Sequence, residues 1–215
     1  MKDTFKHKGL RKQLVDELRL KGIINEKVLA AINKVPRHLF IEDTAFENFA
    51  YKDIPFPIGC NQTISQPYTV AFQSDLLDVQ KDDLILEIGT GCGYQTAVLL
   101  ELGAKIYSIE RQKGLFTKTS KTLPKLGYKA KLFFGDGYKG LPEIAPFNKI
   151  IVTAGAPFIP EDLLKQLTVG GYLIIPVGEG NKQIMTKITR VSETKYKKQE
   201  FGNFSFVPLL KDKNW

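Results

Sequence analysis

Between Leu84 and Val177 short apolar runs alternate with helix-length amphipathic stretches, and this alternation restricts the fold more than any other feature of the chain. Strands are expected at Leu84–Ile88, Lys105–Ile109, Lys131–Phe134, Lys149–Val152 and Tyr172–Val177, with helices at Gln95–Leu102, Leu115–Leu126 and Glu161–Leu167. Brief apolar strands separated by helices need cover on both faces and connect by right-handed crossovers, so the expected class is α/β with a doubly wound, mostly parallel sheet. Upstream, Leu10, Leu14 and Leu18 recur at helical spacing over about Gly9 to Lys21, and Gly22 closes that helix. A second helix follows Asn25, buries Val28, Leu29 and Ile32, and stops at Pro36; together the two form an N-terminal helical cap. Tyr51 to Pro67 reads as a long ordered loop and Tyr68 to Leu77 as a helix. The alternating Gln183–Val191 stretch and Phe204–Leu209 give an antiparallel finish. At 215 residues one domain is expected, with cap and loop over 1–80, a core over 81–180 and terminal strands over 181–215.

Leu86-Glu87-Ile88-Gly89-Thr90-Gly91-Cys92-Gly93-Tyr94 spans the first strand-to-helix turn of that core. Glycines at alternate positions let a ligand approach the backbone. The spacing is G-x-G-x-G: a dinucleotide fingerprint requires glycine where Tyr94 stands, which weakens a nicotinamide reading. The next strand ends in Glu110, about twenty residues on, where a carboxylate accepts both hydroxyls of a ribose. The third runs into Gly135-Asp136-Gly137, where Asp136 is placed to accept an adenine amine. Taken singly, glycines make turns and acids cap helices; together, at the carboxyl ends of adjacent strands, they mark a cofactor site. The candidate cofactor-binding residues are Glu87, Gly89, Gly91, Gly93, Glu110, Asp136 and Gly137.

Thirty-one Lys and Arg against 23 Asp and Glu give a net charge of +8, a charge that leaves polyanions open as partners. The lysines are dispersed, however, and the densest cluster, Lys195, Lys197 and Lys198, reads as a solvated face or hairpin. Cys60 and Cys92, without C-x-x-C spacing, suit a reducing compartment. The charged Met1–Gly22 segment has no apolar signal core, and no apolar run spans a bilayer, so a cytoplasmic protein without a membrane partner is expected. With His7 and His38 the only histidines and no ligand-spaced cluster, neither a histidine dyad nor a metal is expected. A monomer is the default.

Over nearly its whole length the chain resembles the protein-L-isoaspartate O-methyltransferases. Beyond the glycine loop and acidic strand ends, the resemblance rests on Val35-Pro36-Arg37-His38-Leu39-Phe40, Gln62-Thr63-Ile64-Ser65-Gln66-Pro67-Tyr68, Ile151-Val152-Thr153-Ala154, Gly170-Gly171, Ile175-Pro176-Val177-Gly178, Phe206-Val207-Pro208-Leu209 and Trp215. It departs at Asn61, where glycine is common, at Cys92, commonly serine, and at Leu210, often threonine. The resemblance implies a Rossmann-like methyltransferase fold and S-adenosyl-L-methionine as methyl donor. It also implies isoaspartyl proteins and peptides as substrates, whose α-carboxyl ester collapses through a succinimide toward aspartate. It assigns Ser65 to catalysis and Thr63, Ile64, Ser65 and Val207 to the substrate; a plain reading of Ser65-Gln66-Pro67 is a helix-entry cap. A nucleic-acid amine methyltransferase would resemble its relatives in an Asn/Asp-Pro-Pro-aromatic motif after the fourth strand, where this chain has Thr153-Ala154-Gly155-Ala156-Pro157. No nucleic-acid partner is therefore expected, while a small-molecule carboxylate or RNA acceptor stays the alternative.

Overall fold

The computed structural model describes residues 2–41, 49–180 and 182–215. Helix α1 (Phe5–Leu20) starts four residues before Gly9 because Thr4 caps it. The Thr4 hydroxyl accepts the His7 amide while His7 Nδ1 accepts the Thr4 amide at 3.1 Å, a capping box with histidine as its second member. Asn25 Oδ1 accepts the amides of Lys27 and Val28 to open α2 (Glu26–Lys34). Leu14, Leu18, Val28, Leu29 and Ile32 are buried with Val70, Ala97 and Val98, so the cap packs on α3 (Pro67–Leu77) and α4 (Tyr94–Glu101).

The segment read as a loop contains an antiparallel hairpin, β1 (Phe56–Gly59) and β2 (Gln62–Ile64). Its strands are too short for an alternation signal. Its turn residues Cys60 and Asn61 both lie in the left-handed region, at φ 51° and 55°, a strained place for cysteine and a tolerated one for asparagine.

The main sheet has seven strands: β3 (Leu84–Ile88), β4 (Lys105–Glu110), β5 (Lys131–Phe134), β6 (Phe147–Val152), β7 (Leu167–Val177), β8 (Gln183–Arg190) and β9 (Tyr196–Phe204). Their spatial order is β5-β4-β3-β6-β7-β8-β9, parallel through β7 and antiparallel for the last two. This is the α/β architecture expected, with two corrections. Strand β7 begins at Leu167, which shortens α6 to Glu161–Lys165. The antiparallel partner of β8 is Tyr196–Phe204 rather than Phe204–Leu209; its first five residues are exposed and polar apart from Tyr196, so it carries little apolar pattern. Lys197 and Lys198 lie on that edge strand of a hairpin.

Alternation along β3 sends Ile85 and Glu87 one way and Leu86 and Ile88 the other. Ile85 packs with Leu99 of α4 and Ile151, while Leu86 and Ile88 pack with Ile109, Phe147, Ile150 and Leu163 on the opposite face. Helix α5 (Lys113–Lys125) completes the wrapping, and Gln73 Nε2 donates to Val152 O at 2.9 Å, tying α3 to the centre of the sheet. No helix among the described residues is long and apolar enough to cross a membrane.

Truncating a central strand side chain leaves a cavity, whereas removing a cap loses one hydrogen bond. Leu86→Ala should cost about 2 to 5 kcal/mol and Thr4→Ala about 1 kcal/mol in urea-unfolding free energy; a Leu86→Ala cost as small as that of Thr4→Ala would contradict the burial described.

Candidate active site

The carboxyl ends of β3, β4, β5 and β6 surround a void lined by the glycine loop, the β1–β2 hairpin and the C-terminal tail. Gly89, with φ 97°, stands so close to Thr153 that a Cβ would lie 2.5 Å from Thr153 Oγ1. Gly91 faces Ile58 of the β1–β2 hairpin, whose Cδ1 would lie 3.3 Å from an added Cβ. A side chain at Gly137 would run into Ile88 Cγ2. Glycine at these three positions lets the loops pack this closely on β3, the end of β6 and the hairpin.

Glu110 organises the loop. One carboxylate oxygen accepts the Gly91 amide at 2.8 Å and the other the Gln112 amide at 2.7 Å. Burial raises its pKa and the backbone donors oppose that. Each oxygen keeps a further lone pair, enough for two ligand hydroxyls. Behind it, the amides of Gly89 and Thr90 both donate to Ile109 O and the Thr119 hydroxyl donates to Gly91 O at 2.6 Å.

Eight of the eleven residues singled out in the sequence line this void: Thr63, Ile64, Ser65, Gly89, Gly91, Glu110, Gly137 and Val207. The other three are not among its lining residues. Glu87 is fully buried on the α4 face of β3, accepting from the Thr96 hydroxyl at 2.5 Å and the Ser108 hydroxyl at 2.7 Å. Gly93 starts α4 with φ 87° and a Cβ there would meet Leu123 and Thr119 at 3.0 Å, so its place is set by the α4–α5 contact. Asp136 is buried beside Gly137 and its Oδ1 accepts the Tyr138 amide at 2.9 Å.

Ser65 caps no helix: Gln66 is the N-cap of α3 and makes no side-chain capping bond. The α3 entrance is held instead by Asp53, which accepts the Tyr68 amide at 2.7 Å, Gln66 Nε2 at 3.0 Å and Lys21 Nζ at 2.6 Å. The Ser65 side chain is thereby left for the cavity, and with Thr63, Thr153 and Val207 it also lines a second, adjoining open groove.

Several wall residues were not singled out in the sequence. Thr153 directly follows β6 and donates to Gly89 O at 2.7 Å; the strand-end rule that found Glu110 applies to it equally. Arg111 follows Glu110, and its guanidinium reaches Asp212 O at 3.0 Å and Lys211 O at 3.3 Å. Leu209 and Leu210 arrive from the tail, which is fixed where Gly155 N donates to Val207 O and Leu209 N donates to Gly155 O. The Cys92 thiol also lines the wall, but burial pushes its pKa up to about 11, so it stays protonated and a poor nucleophile.

The histidines lie elsewhere, in the cap. No cluster has ligand spacing along the sequence; in the fold Asp3, His7 and His38 bring ligand atoms within 4.8 Å of one another. The Asp3 carboxylate is held by Arg11 through two bonds of 3.0 and 2.9 Å, His7 Nδ1 accepts the Thr4 amide, and the two imidazoles stack at 3.8 Å.

Residues 9–214 match the family model described as protein-L-isoaspartate(D-aspartate) O-methyltransferase. The chain belongs to that family. A Flavobacterium psychrophilum protein-L-isoaspartate O-methyltransferase is 65% identical over 215 residues, covering all of both chains. A solved beta-aspartate methyltransferase from Plasmodium falciparum, in complex with S-adenosyl-L-homocysteine, superimposes with TM-score 0.82 at 26% identity, over 94% of this chain and 99% of that one. A second solved protein-L-isoaspartate O-methyltransferase gives TM-score 0.83 at 26% identity over 92% of this chain, which spans 65% of that longer one. These likenesses bear out the Rossmann-like fold of the family.

Glu87 provides a test of the loop's foundation. Burial raises its pKa from 4.5 to about 7, against the opposing donors Thr96 and Ser108. A folded-state pKa above the unfolded value means the folded chain holds the extra proton between the two, so stability falls as pH rises through that window. Relative to Glu87→Gln, the native chain should lose roughly 3 kcal/mol between pH 4.5 and pH 7, with no further change above. Urea unfolding of both proteins from pH 4.5 to 8 measures this; parallel curves would refute it.

Proposed function

We propose that this protein transfers a methyl group from S-adenosyl-L-methionine to the α-carboxyl of L-isoaspartyl residues in damaged proteins and peptides, giving an ester that converts through a succinimide toward aspartate. The observation that carries this reading is the joining of two spaces. The void over the glycine loop and the open groove beside it share Thr63, Ser65, Thr153 and Val207, so ligands in the two meet at those four residues.

The void suits the methyl donor. Glu110 retains acceptor capacity for the two ribose hydroxyls, the side-chain-free Gly89 and Gly91 admit close approach, and Asp136 next to Gly137 is assigned the adenine amine. In this reading Gly93 and Glu87 support the loop from behind. Bound there, the donor supplies a sulfonium methyl group for in-line displacement.

The residues at the junction are left with positioning. A carboxylate is ionised at neutral pH and needs no base to attack, which fits a wall whose thiol is buried and whose histidines are remote. Thr63, Ile64 and Ser65 at the end of the hairpin and Val207 of the tail hold the isoaspartyl group, with the Ser65 hydroxyl orienting the carboxylate. Pre-organisation of this kind is worth roughly 7 to 11 kcal/mol of barrier. Substrates enter as flexible protein segments; we place the reaction in the cytoplasm, with a monomer acting and neither nucleic acid nor membrane as partner.

Asp136→Ala should weaken S-adenosyl-L-homocysteine binding about tenfold to a hundredfold, whereas Ser65→Ala should lower kcat about tenfold and leave that affinity in place. Calorimetric titration and steady-state kinetics separate the two, and equal losses of both quantities in both variants would sink this division of roles. The acceptor is tested with labelled methyl donor and paired peptides differing only in isoaspartate against aspartate, with transfer RNA as a third acceptor. Label on the isoaspartyl peptide alone is expected; label on RNA would reassign the substrate.

A further inference from the structure

Beyond the four shared residues, the groove is walled by aromatic rings. Tyr68 and Phe72, one turn apart on α3, face Phe204 at the end of β9, with ring centroids 6.4 and 5.0 Å from it, and Phe206 follows at 6.5 Å. All four side chains are only partly buried, so their rings present apolar surface to the groove. Among the described lining residues the one charged side chain is Lys182, and no carboxylate stands in the groove. Gln66, Thr69, Asn203 and Ser205 add uncharged polar groups to the rim, with Pro55 and Gly202 between them.

Four partly exposed aromatic residues in a concave wall, joined to the place where a carboxylate must sit, are more than a peptide backbone needs. Backbone recognition uses amides and carbonyls; rings recognise side chains, by burial of apolar area and by offset or edge-on ring contacts. We infer that the Tyr68, Phe72, Phe204 and Phe206 wall is a side-chain subsite that selects a bulky apolar or aromatic residue directly flanking the isoaspartyl residue. The inference rests on the proposed reading of the junction as the acceptor site and narrows it from any damaged segment to a preferred class.

Position supports a flanking residue rather than the isoaspartyl residue itself. Phe206 adjoins Val207 in the chain, and Tyr68 lies three residues beyond Ser65, so the wall begins beside the junction. A side chain one residue from the isoaspartyl group lies within that reach, since Cα atoms are roughly 3.8 Å apart across the ordinary peptide bond before it and only one methylene farther across the isopeptide bond after it. The bulged β8–β9 register at Gly202, between Phe201 and Asn203, bends the strand end that carries Phe204.

The experiment uses the full chain and four peptides in which phenylalanine or glycine precedes or follows isoaspartate. The native protein should favour phenylalanine on one flank by about tenfold in kcat/KM, mostly through KM. Phe204→Ala and Phe72→Ala should each cut that ratio below about threefold while S-adenosyl-L-homocysteine affinity stays constant, which shows that the cofactor cavity is intact. Native activity within twofold on all four peptides would overturn the subsite and leave the isoaspartyl reading standing. The inference also falls if the preference survives both variants, or if each variant loses activity equally toward the phenylalanine and glycine peptides. Methylation of none of the peptides by the native protein would overturn the parent reading and this one together.

Discussion

The arrangement at the carboxyl edge of the sheet depends on one carboxylate. Glu110 ends β4, yet its two oxygens take amides from different directions, Gly91 in the loop after β3 and Gln112 at the entrance to α5. A glycine-rich loop has high conformational entropy and needs such a clamp to hold one shape. Removing the carboxylate would leave two buried donors unpaired, a cost of about 1 to 3 kcal/mol each. The same residue thus shapes the cavity and supplies its acceptor lone pairs.

Two segments remote in sequence are brought over this edge by equally specific bonds. Asp53 collects Lys21 from the end of α1, Gln66 and the Tyr68 amide, which fixes the hairpin end carrying Thr63 to Ser65 against the start of α3. On the other side the tail pairs with Gly155, then continues past Arg111 to Asn214, whose amide donates to Arg111 O and whose side chain donates to Gln112 Oε1 at 2.6 Å. Trp215 ends against Phe134 of β5 at 5.0 Å. One strip of chain therefore runs from the groove, across the cavity, to the corner that Glu110 holds.

Sequence reading succeeds where a feature is local and fails where placement is tertiary. Strands β3 and β5 match their expected limits because apolar runs there are bounded by polar residues and turns, and Glu110 is conspicuous as a strand-ending acid at a fixed distance from the glycines. The hairpin is hidden by its four- and three-residue strands, and β9 by its lysines. Glu87 shares the motif with the loop glycines, but the two-residue period of β3 puts it with Ile85 under α4, a distinction the motif alone does not draw. Leu209 and Leu210 stand out only through the family resemblance, and Asp53 carries no local signal; only the folded chain brings them to the site.

The two buried acids of this region show why position outweighs residue type. Glu87 meets hydroxyl donors on one oxygen, while its Oε1 is buried with no hydrogen-bond partner, and it is pushed toward the neutral form. Glu110 meets backbone amides on both oxygens and opens onto the cavity. The Ser108 hydroxyl, which donates to Glu87, also pairs with the Thr90 hydroxyl at 2.7 Å, so the buried acid reaches the glycine loop through two side chains. A carboxyl beneath the loop braces it and a carboxylate above it faces the cavity. A reaction that asks the protein only to place one carboxylate against one methyl group needs rigidity at this loop more than it needs a titrating side chain.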